Sequence, residues 1–321
     1  MVIVATKDGA EIRELLFSEY DIEVGDEDNS FAFTCLRGEW EDIPKDARIY
    51  IPGTEYGGFF RELKTDTAQD TITPGGLTWR GMLQKKIIEP EAGEDYAIDS
   101  GELNAIIKKR VEAAFPGVFY GVETDTGITA RFQYNRYCTL YDGLSALLKS
   151  KGYKLRIEYD GTVTVRAVPI VDYSRTIEFS SNQRANYVMQ SQSDGVNHLI
   201  CLGAGELAAR TVIHLYCNSR GTISMTQSLF GVDEIAAVYD NPGSSYTDLR
   251  SGGIQRLREL RSKNQFDIKL DTGEEYEIGD IVGGRDYLSG MTLAAPIIGK
   301  VVKWSGGLQT IDYTLGEVGE V

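Results

Sequence analysis

The chain is poor in the residues on which catalytic sites and stapled secreted domains most often rest. It has two histidines, four cysteines, eight prolines and three tryptophans among 321 residues. Both histidines, His198 and His214, lie in runs that read as strands, so a Ser–His–Asp or Cys–His unit has few ways to form. Cys35, Cys138, Cys201 and Cys217 are too sparse for a disulfide framework and read as free, buried thiols. No run approaches the roughly 18 consecutive apolar residues of a membrane span, so no membrane insertion is expected. The opening MVIVATKDGAEIRE has neither the basic region nor the cleavage site of a signal peptide, and synthesis and folding in a cytosol are expected.

What the chain has in plenty is acid, glycine and tyrosine. The net charge is −15, with 35 Gly and 18 Tyr. The charge is uneven: residues 1–100 carry 22 Asp+Glu against 10 Lys+Arg, a net of −12, and the other 221 residues carry −3. Such a surface repels phosphate, which argues against ordinary nucleic-acid binding. A solvated acidic face explains the same numbers without any partner.

Along the chain, short β-runs dominate. ELLFSEYDIEV (14–24), SFAFTCL (30–36), ARIYIP (47–52), GGFFRELK (57–64), DTIT (70–73) and LTWRGMLQKKII (77–88) are separated by turn residues. Helices follow: one after Ser100 as cap, through GELNAIIKKRVEAAF, and one over LYDGLSALLKS with Leu140, Leu144, Leu147 and Leu148 on one stripe. Asp160–Gly161 between two alternating runs predicts a hairpin. After 180 come the strands VNHLICLG, RTVIHLYC and TISMTQ, helices over 232–240 and 253–263, and a closing β-region FDIKL, YEIGDIVGG, LAAPIIGKVVKW and LQTIDYTLGE. The expected divisions are 1–95, a first β-barrel; 96–180, an α/β insertion with helices and a hairpin; and 181–321, a second β-barrel including the helices near 232–263. A faint internal similarity relates RIYIPGTEYGG–FFRELK–TIT to DIVGGRDYLSG–PIIGKVVKW–TIDYTLG.

Two constellations invite chemistry. Gly203-x-Gly205-x-x-Ala208 outlines a dinucleotide-binding turn, but about six residues separate it from the next strand, which leaves no room for a crossover helix and favours a plain hairpin. His198-x-x-Cys201 and His214-x-x-Cys217 look like a zinc pair, yet residues i and i+3 of a strand point to opposite faces. No metal and no cofactor are expected. Trp79–Arg80 and the run of Gly279, Asp280, Gly283 and Gly284 read as structural motifs, the first offering packing area and a stacked cation at an interface, the second turns and close backbone approach.

The C-terminal stretch YEIGDIVGGRDYLSGMTLAAPIIGKVVKW with LQTIDYTLGE resembles the end of siphovirus-type tail proteins of the baseplate or tail-tip hub family, relatives of contractile-tail hubs and of the hub part of type VI secretion spikes. IPGTEYGGFFRELKTDTAQDTITPGGLTWRGMLQKKIIEP and NHLICLGAGELAARTVIHLYCNSRGTISMTQSLFGVDEIAAVYDNP are similar to the same group. The resemblance implies a mainly β chain with α+β insertions and two tail-tube-like β-barrels. It implies a structural virion protein, not an enzyme, three copies of which form a ring of six barrels. Its partners would be the distal tail or tube protein, the tape-measure protein and spike or tail-fibre proteins, with DNA only as passing cargo. A receptor- or carbohydrate-binding tail-tip module is the alternative kept open by the tyrosines.

Overall fold

The computed structural model describes residues 1–15, 19–174, 185–191, 194–219, 221–261, 264–270, 275–285, 288–290, 292–316 and 319–320. In the first lobe, Val2–Ala5 pairs antiparallel with Glu11–Leu15 and with Arg48–Tyr50, and Gly57–Phe59 completes a four-stranded sheet. VIVA is apolar at every position because this sheet is covered on both faces. Val2 and Val4 join a core with Ile22, Phe33, Ile297 and Val302, while Ile3 and Ala5 join one with Trp79, Leu83 and Tyr159.

The larger sheet has the order Ile281–Arg285, Thr292–Ser305, Glu19–Gly25, Ser30–Leu36, Thr71–Leu77, Glu62–Asp66, with Leu308–Leu315 also paired to Thr292–Ser305. Phe31, Phe33 and Cys35 are buried, as their alternation predicts. Tyr20 lies opposite Trp304 and Val24 opposite Lys300, so the beginning and the end of the chain are adjacent strands of one sheet. The expectation of a mainly β chain holds, but no sheet among the described residues closes into a barrel.

The second lobe sets α1 (Trp79–Gln84), α2 (Leu103–Ala114) and α3 (Leu140–Lys149) with a three-stranded sheet of Phe119–Gly121, Thr162–Pro169 and Tyr153–Asp160. α3 is capped by Thr139, which accepts from the Asp142 N–H at 3.0 Å, and its four leucines are buried. The hairpin at Asp160 is a tight one: Asp160 opposes Thr162, and Gly161 takes φ +73°, which a Cβ would strain.

Two expectations fail here. LTWRGMLQKKII is not a strand beyond Leu77, because Thr78 caps α1 by accepting from the Gly81 N–H at 3.2 Å, and Trp79 and Leu83, four residues apart, bury one face. Ser100 does not cap α2. It lies in Ile98–Glu102 opposite Arg131, and the Glu102 carboxylate caps instead, accepting from the Ala105 N–H at 2.9 Å.

The third lobe is a sheet in the order Ile223–Ser224, Val212–Cys217, His198–Leu202, Ala236–Asp240, with α4 (Tyr246–Leu260) on one face. The helix expected over 232–240 is absent. Gly231–Asp233 is a single 3-10 turn and Ala236–Asp240 is a strand parallel to His198–Leu202, so strand pairing overrides the local helix preference of Asp-Glu-Ile-Ala-Ala. The helix expected from 253 starts earlier, at Tyr246, capped by Ser245, and residues 262–263 lie outside the described ones. α4 sits close on the sheet: a Cβ at Gly253 would come within 2.5 Å of the Cys201 sulfur. A separate pair, Ala185–Ser191 with Asn264–Leu270, runs antiparallel.

Candidate functional site: buried ionic junctions

Of the residues singled out in the sequence, Trp79, Arg80, Gly279 and Asp280 fall at two junctions between the first and second lobes. At the first, Trp79 is fully buried, stacked on Tyr159 at 4.9 Å and 6° and edge-on to Phe59 at 5.7 Å. Arg80, next along α1, turns the other way. Its Nε and Nη2 donate to Glu55 Oε2 at 2.8 and 2.6 Å, and its Nη1 donates to the Tyr141 hydroxyl at 3.3 Å. That hydroxyl donates on to Asp26 at 2.7 Å. Lys300 approaches the other Glu55 oxygen at 3.8 Å, pairs with Glu275 at 2.8 Å and lies 5.0 Å from the centre of the Tyr56 ring. The Tyr56 hydroxyl closes the chain by donating to Glu275.

The charges fit that arrangement. Burial acts to lower the Arg80 pKa, but the Glu55 carboxylate and Tyr141 outweigh it and hold the guanidinium above its ordinary range. Burial pushes Tyr141 up to about 12, Asp26 adding to the rise and Arg80 opposing it. Burial and the neighbouring Glu275 keep Tyr56 protonated, hence a donor. Burial would raise Glu275, but Lys300 overcomes it and the carboxylate stays ionised below its ordinary value.

At the second junction, Lys154 donates at 2.7 Å to Glu277 and at 2.7 Å to Asp280, and Asp280 accepts from the Val171 N–H at 2.8 Å. Gly279 adopts φ +94° against the Lys154 stem, where a Cβ would stand 3.0 Å from Lys154 Cβ. Gly283 and Gly284 are buried in Ile281–Arg285, opposite Ala294 and Leu293, and carry no charge into the junction. Arg80 and Asp280 thus have separate partner sets. Each fastens the second lobe to the first: α1 and α3 to the 55–56 turn and Lys300, and the Tyr153–Asp160 strand to the 275–280 segment.

The partners Asp26, Glu55, Lys154, Tyr141, Glu275, Glu277 and Lys300 carry no sequence signal, since each is tens to hundreds of residues from the group it meets. Buried ionic pairs add little net stability, but they fix one geometry, because any other leaves a charge unpaired. Each junction joins buried side chains of the two lobes.

The histidines behave as strand spacing requires. Cys201 and Cys217 are buried on the α4 side, while His198 and His214 lie on the other face, Nε2 to Nδ1 2.8 Å apart, with Glu234 2.5 Å from His198 Nδ1. Gly203–Ala208 forms the hairpin between antiparallel strands, with a single 3-10 turn at Leu207–Ala209.

This architecture, with the chain's two ends in one sheet and two smaller α/β lobes carried between them, is the fold of bacterial prophage tail proteins. The chain is similar over 98 % of its length to the 43 kDa tail protein of prophage MuSo2 from Shewanella oneidensis, at 14 % identity and a TM-score of 0.53, covering 98 % of that chain. It is similar over 98 % of its length to the prophage tail protein gp18 from Listeria monocytogenes, at 12 % identity and a TM-score of 0.53, covering 93 % of that chain. No protein-family model and no curated protein matches the sequence. The resemblance to tail proteins read from the sequence is therefore met in the fold, over nearly the whole chain.

Proposed function

We propose that this protein is a structural hub subunit at the tip or baseplate of a phage or prophage-derived tail, and not an enzyme. The observation that carries the reading is the fold likeness to two prophage tail proteins over 98 % of the chain. Three copies form a ring in which each subunit presents two tube-like barrels, completed in the assembly, so that six units meet a six-fold tail tube on one side and a spike or tail-fibre protein on the other. The tape-measure protein and DNA pass through. Residues 1–100, with a net of −12 per copy, contribute to the channel wall and keep DNA from adhering within the 8–10 Å or so over which charge acts at physiological salt. The buried junctions suit a connector that must hold its shape under load.

Electron microscopy of assembled tails tests this. A ring of three copies at the tail end with an acidic lumen is expected. Separate copies on the outside of the tail, or a basic lumen facing this chain, would sink the reading.

A further inference from the structure

Among the described residues four lysines and arginines are buried: Arg48, Arg80, Lys154 and Lys300. Three of them meet carboxylates. Arg80 meets Glu55, Lys154 meets Glu277 and Asp280, and Lys300 meets Glu275. Arg48, 3 % exposed, forms no ion pair among the described residues. Buried cations are almost always paired, because burial strips them of the hydration that stabilises the charge.

Arg48 lies opposite Phe59 in its sheet, with the guanidinium carbon 5.2 Å from the centre of that ring. A ring face offsets part of a cation's desolvation but leaves the charge uncompensated. Nη1 reaches across to the second lobe, donating to the Tyr159 hydroxyl at 3.2 Å and to the Gly161 carbonyl at 3.5 Å. Nε is buried without a hydrogen-bond partner. Trp79, edge-on to Phe59 and stacked on Tyr159, leaves its indole N–H in the same condition. One positive charge and two N–H donors thus stand without an acceptor around the same two rings, and each such donor is costly to leave so. The carboxylates of the adjoining segments do not supply one: Glu11 accepts from Tyr50, Asp46 pairs with Lys7, and Asp8 and Asp160 are exposed.

Two glycine turns close over the guanidinium. A Cβ at Gly9 would stand 3.3 Å from the Gly161 carbonyl oxygen and 3.5 Å from Arg48 Nη1. Such a cover admits an ion more readily than a side chain of another protein. In a chain of net −15, a monovalent anion also meets less repulsion than phosphate.

We infer that Arg48 holds a small monovalent anion of the chloride class at the seam between the first and second lobes. This stands apart from the hub reading, since the isolated full-length chain suffices to test it. The chain is melted at neutral pH and equal ionic strength in sodium chloride and in sodium gluconate, whose anion is too large for the site. A melting temperature higher in chloride by about 3 °C is expected once chloride is tenfold above its dissociation constant, and Arg48→Met should melt alike in both salts. Equal melting of the parent in the two salts, or a chloride gain that Arg48→Met retains, overturns the inference. Should Arg48→Met fail to fold, crystals of the parent soaked in bromide decide it. An anomalous peak beside the Arg48 guanidinium is expected, and bromide found only at exposed side chains, or nowhere, overturns the assignment.

Discussion

The four-stranded sheet of the first lobe and the sheet of the third lobe are written in similar residues, VIVA and RIY in one, HLICL and VIHLYC in the other. In the first lobe every position of VIVA is buried, because the larger sheet lies on one face and the Trp79 core on the other. In the third, α4 supplies one cover and Val212 and Val238 stay in water. The difference teaches that an apolar run counts the layers a strand needs, and that the first lobe finds both within its own chain. Ionic pairs divide the same way. Arg80 and Glu55 are buried together, while Asp240 of the Arg210 pair is largely exposed.

The largest expected effect breaks the contrast at those ion pairs. Arg80→Ala leaves Glu55 buried with only Lys300 nearby and should lower unfolding free energy by about 3–5 kcal/mol, whereas Arg210→Ala should cost less than about 1 kcal/mol. Denaturant melts of both variants decide it, and equal losses would show that the Arg80 junction is not the tighter one. The sheets come next. Ile3→Ala should cost about 2–5 kcal/mol, and Val238→Ala in the isolated chain no more than about 0.5 kcal/mol. A large loss at Val238 would mean that its face is already covered within one chain.

Acid sharpens the comparison further. Burial would raise Asp99, but hydrogen bonds from Arg110, Lys109 and Tyr134 outweigh it and hold its pKa below the ordinary 3.8. A carboxylate so depressed contributes stability that is complete above its unfolded value and is lost as pH falls through the lower, folded one. The melting temperature should therefore drop below about pH 4, and Asp99→Asn should melt lower at neutral pH with a flatter acid limb. Parallel acid limbs in the two proteins would rule Asp99 out as the cause.

The smallest effects concern turns. Gly161→Ala meets no atom within 4 Å but must keep φ +73°, for a cost of about 1 kcal/mol. Leu207→Gly, relieving φ +48°, should raise stability by up to about 1 kcal/mol. Calorimetry giving both changes the same sign would refute the strain argument.

Local chemistry made part of this fold legible in the sequence. Asp160–Gly161, the leucine stripe of α3 and the alternation of Phe31, Phe33 and Cys35 each act within a few residues, and each appears as read. So does the division of each His from its Cys. What pattern alone could not supply was partnership at a distance. Ala236–Asp240 reads as helical until His198–Leu202 is beside it, and the stretch after Leu77 reads as a strand until Trp79 finds Tyr159. Trp79, Arg80, Gly279 and Asp280 stood out by type, but Glu55, Tyr141 and Lys154 did not, because a carboxylate, a phenol or an ammonium acquires its role only from what the fold carries to it.

The adjacency of Glu19–Gly25 and Thr292–Ser305 also governs how the molecule is made. Tyr20 and Gln309, joined by a hydrogen bond, are 289 residues apart. On a ribosome adding about 5–20 residues per second, the strand carrying Ile22 and Val24 emerges early and then waits many seconds for its neighbour. Through that interval the edge that Thr292–Ser305 will occupy stays open, next to Tyr20 and Phe33, and is available to any other nascent chain. The second lobe, whose hairpin and helices are close in sequence, is free to fold meanwhile. Synthesis of Thr292–Ser305 is thus the step that lets this sheet close, and a chain truncated before residue 292 loses the partner strand on which the first lobe's core depends.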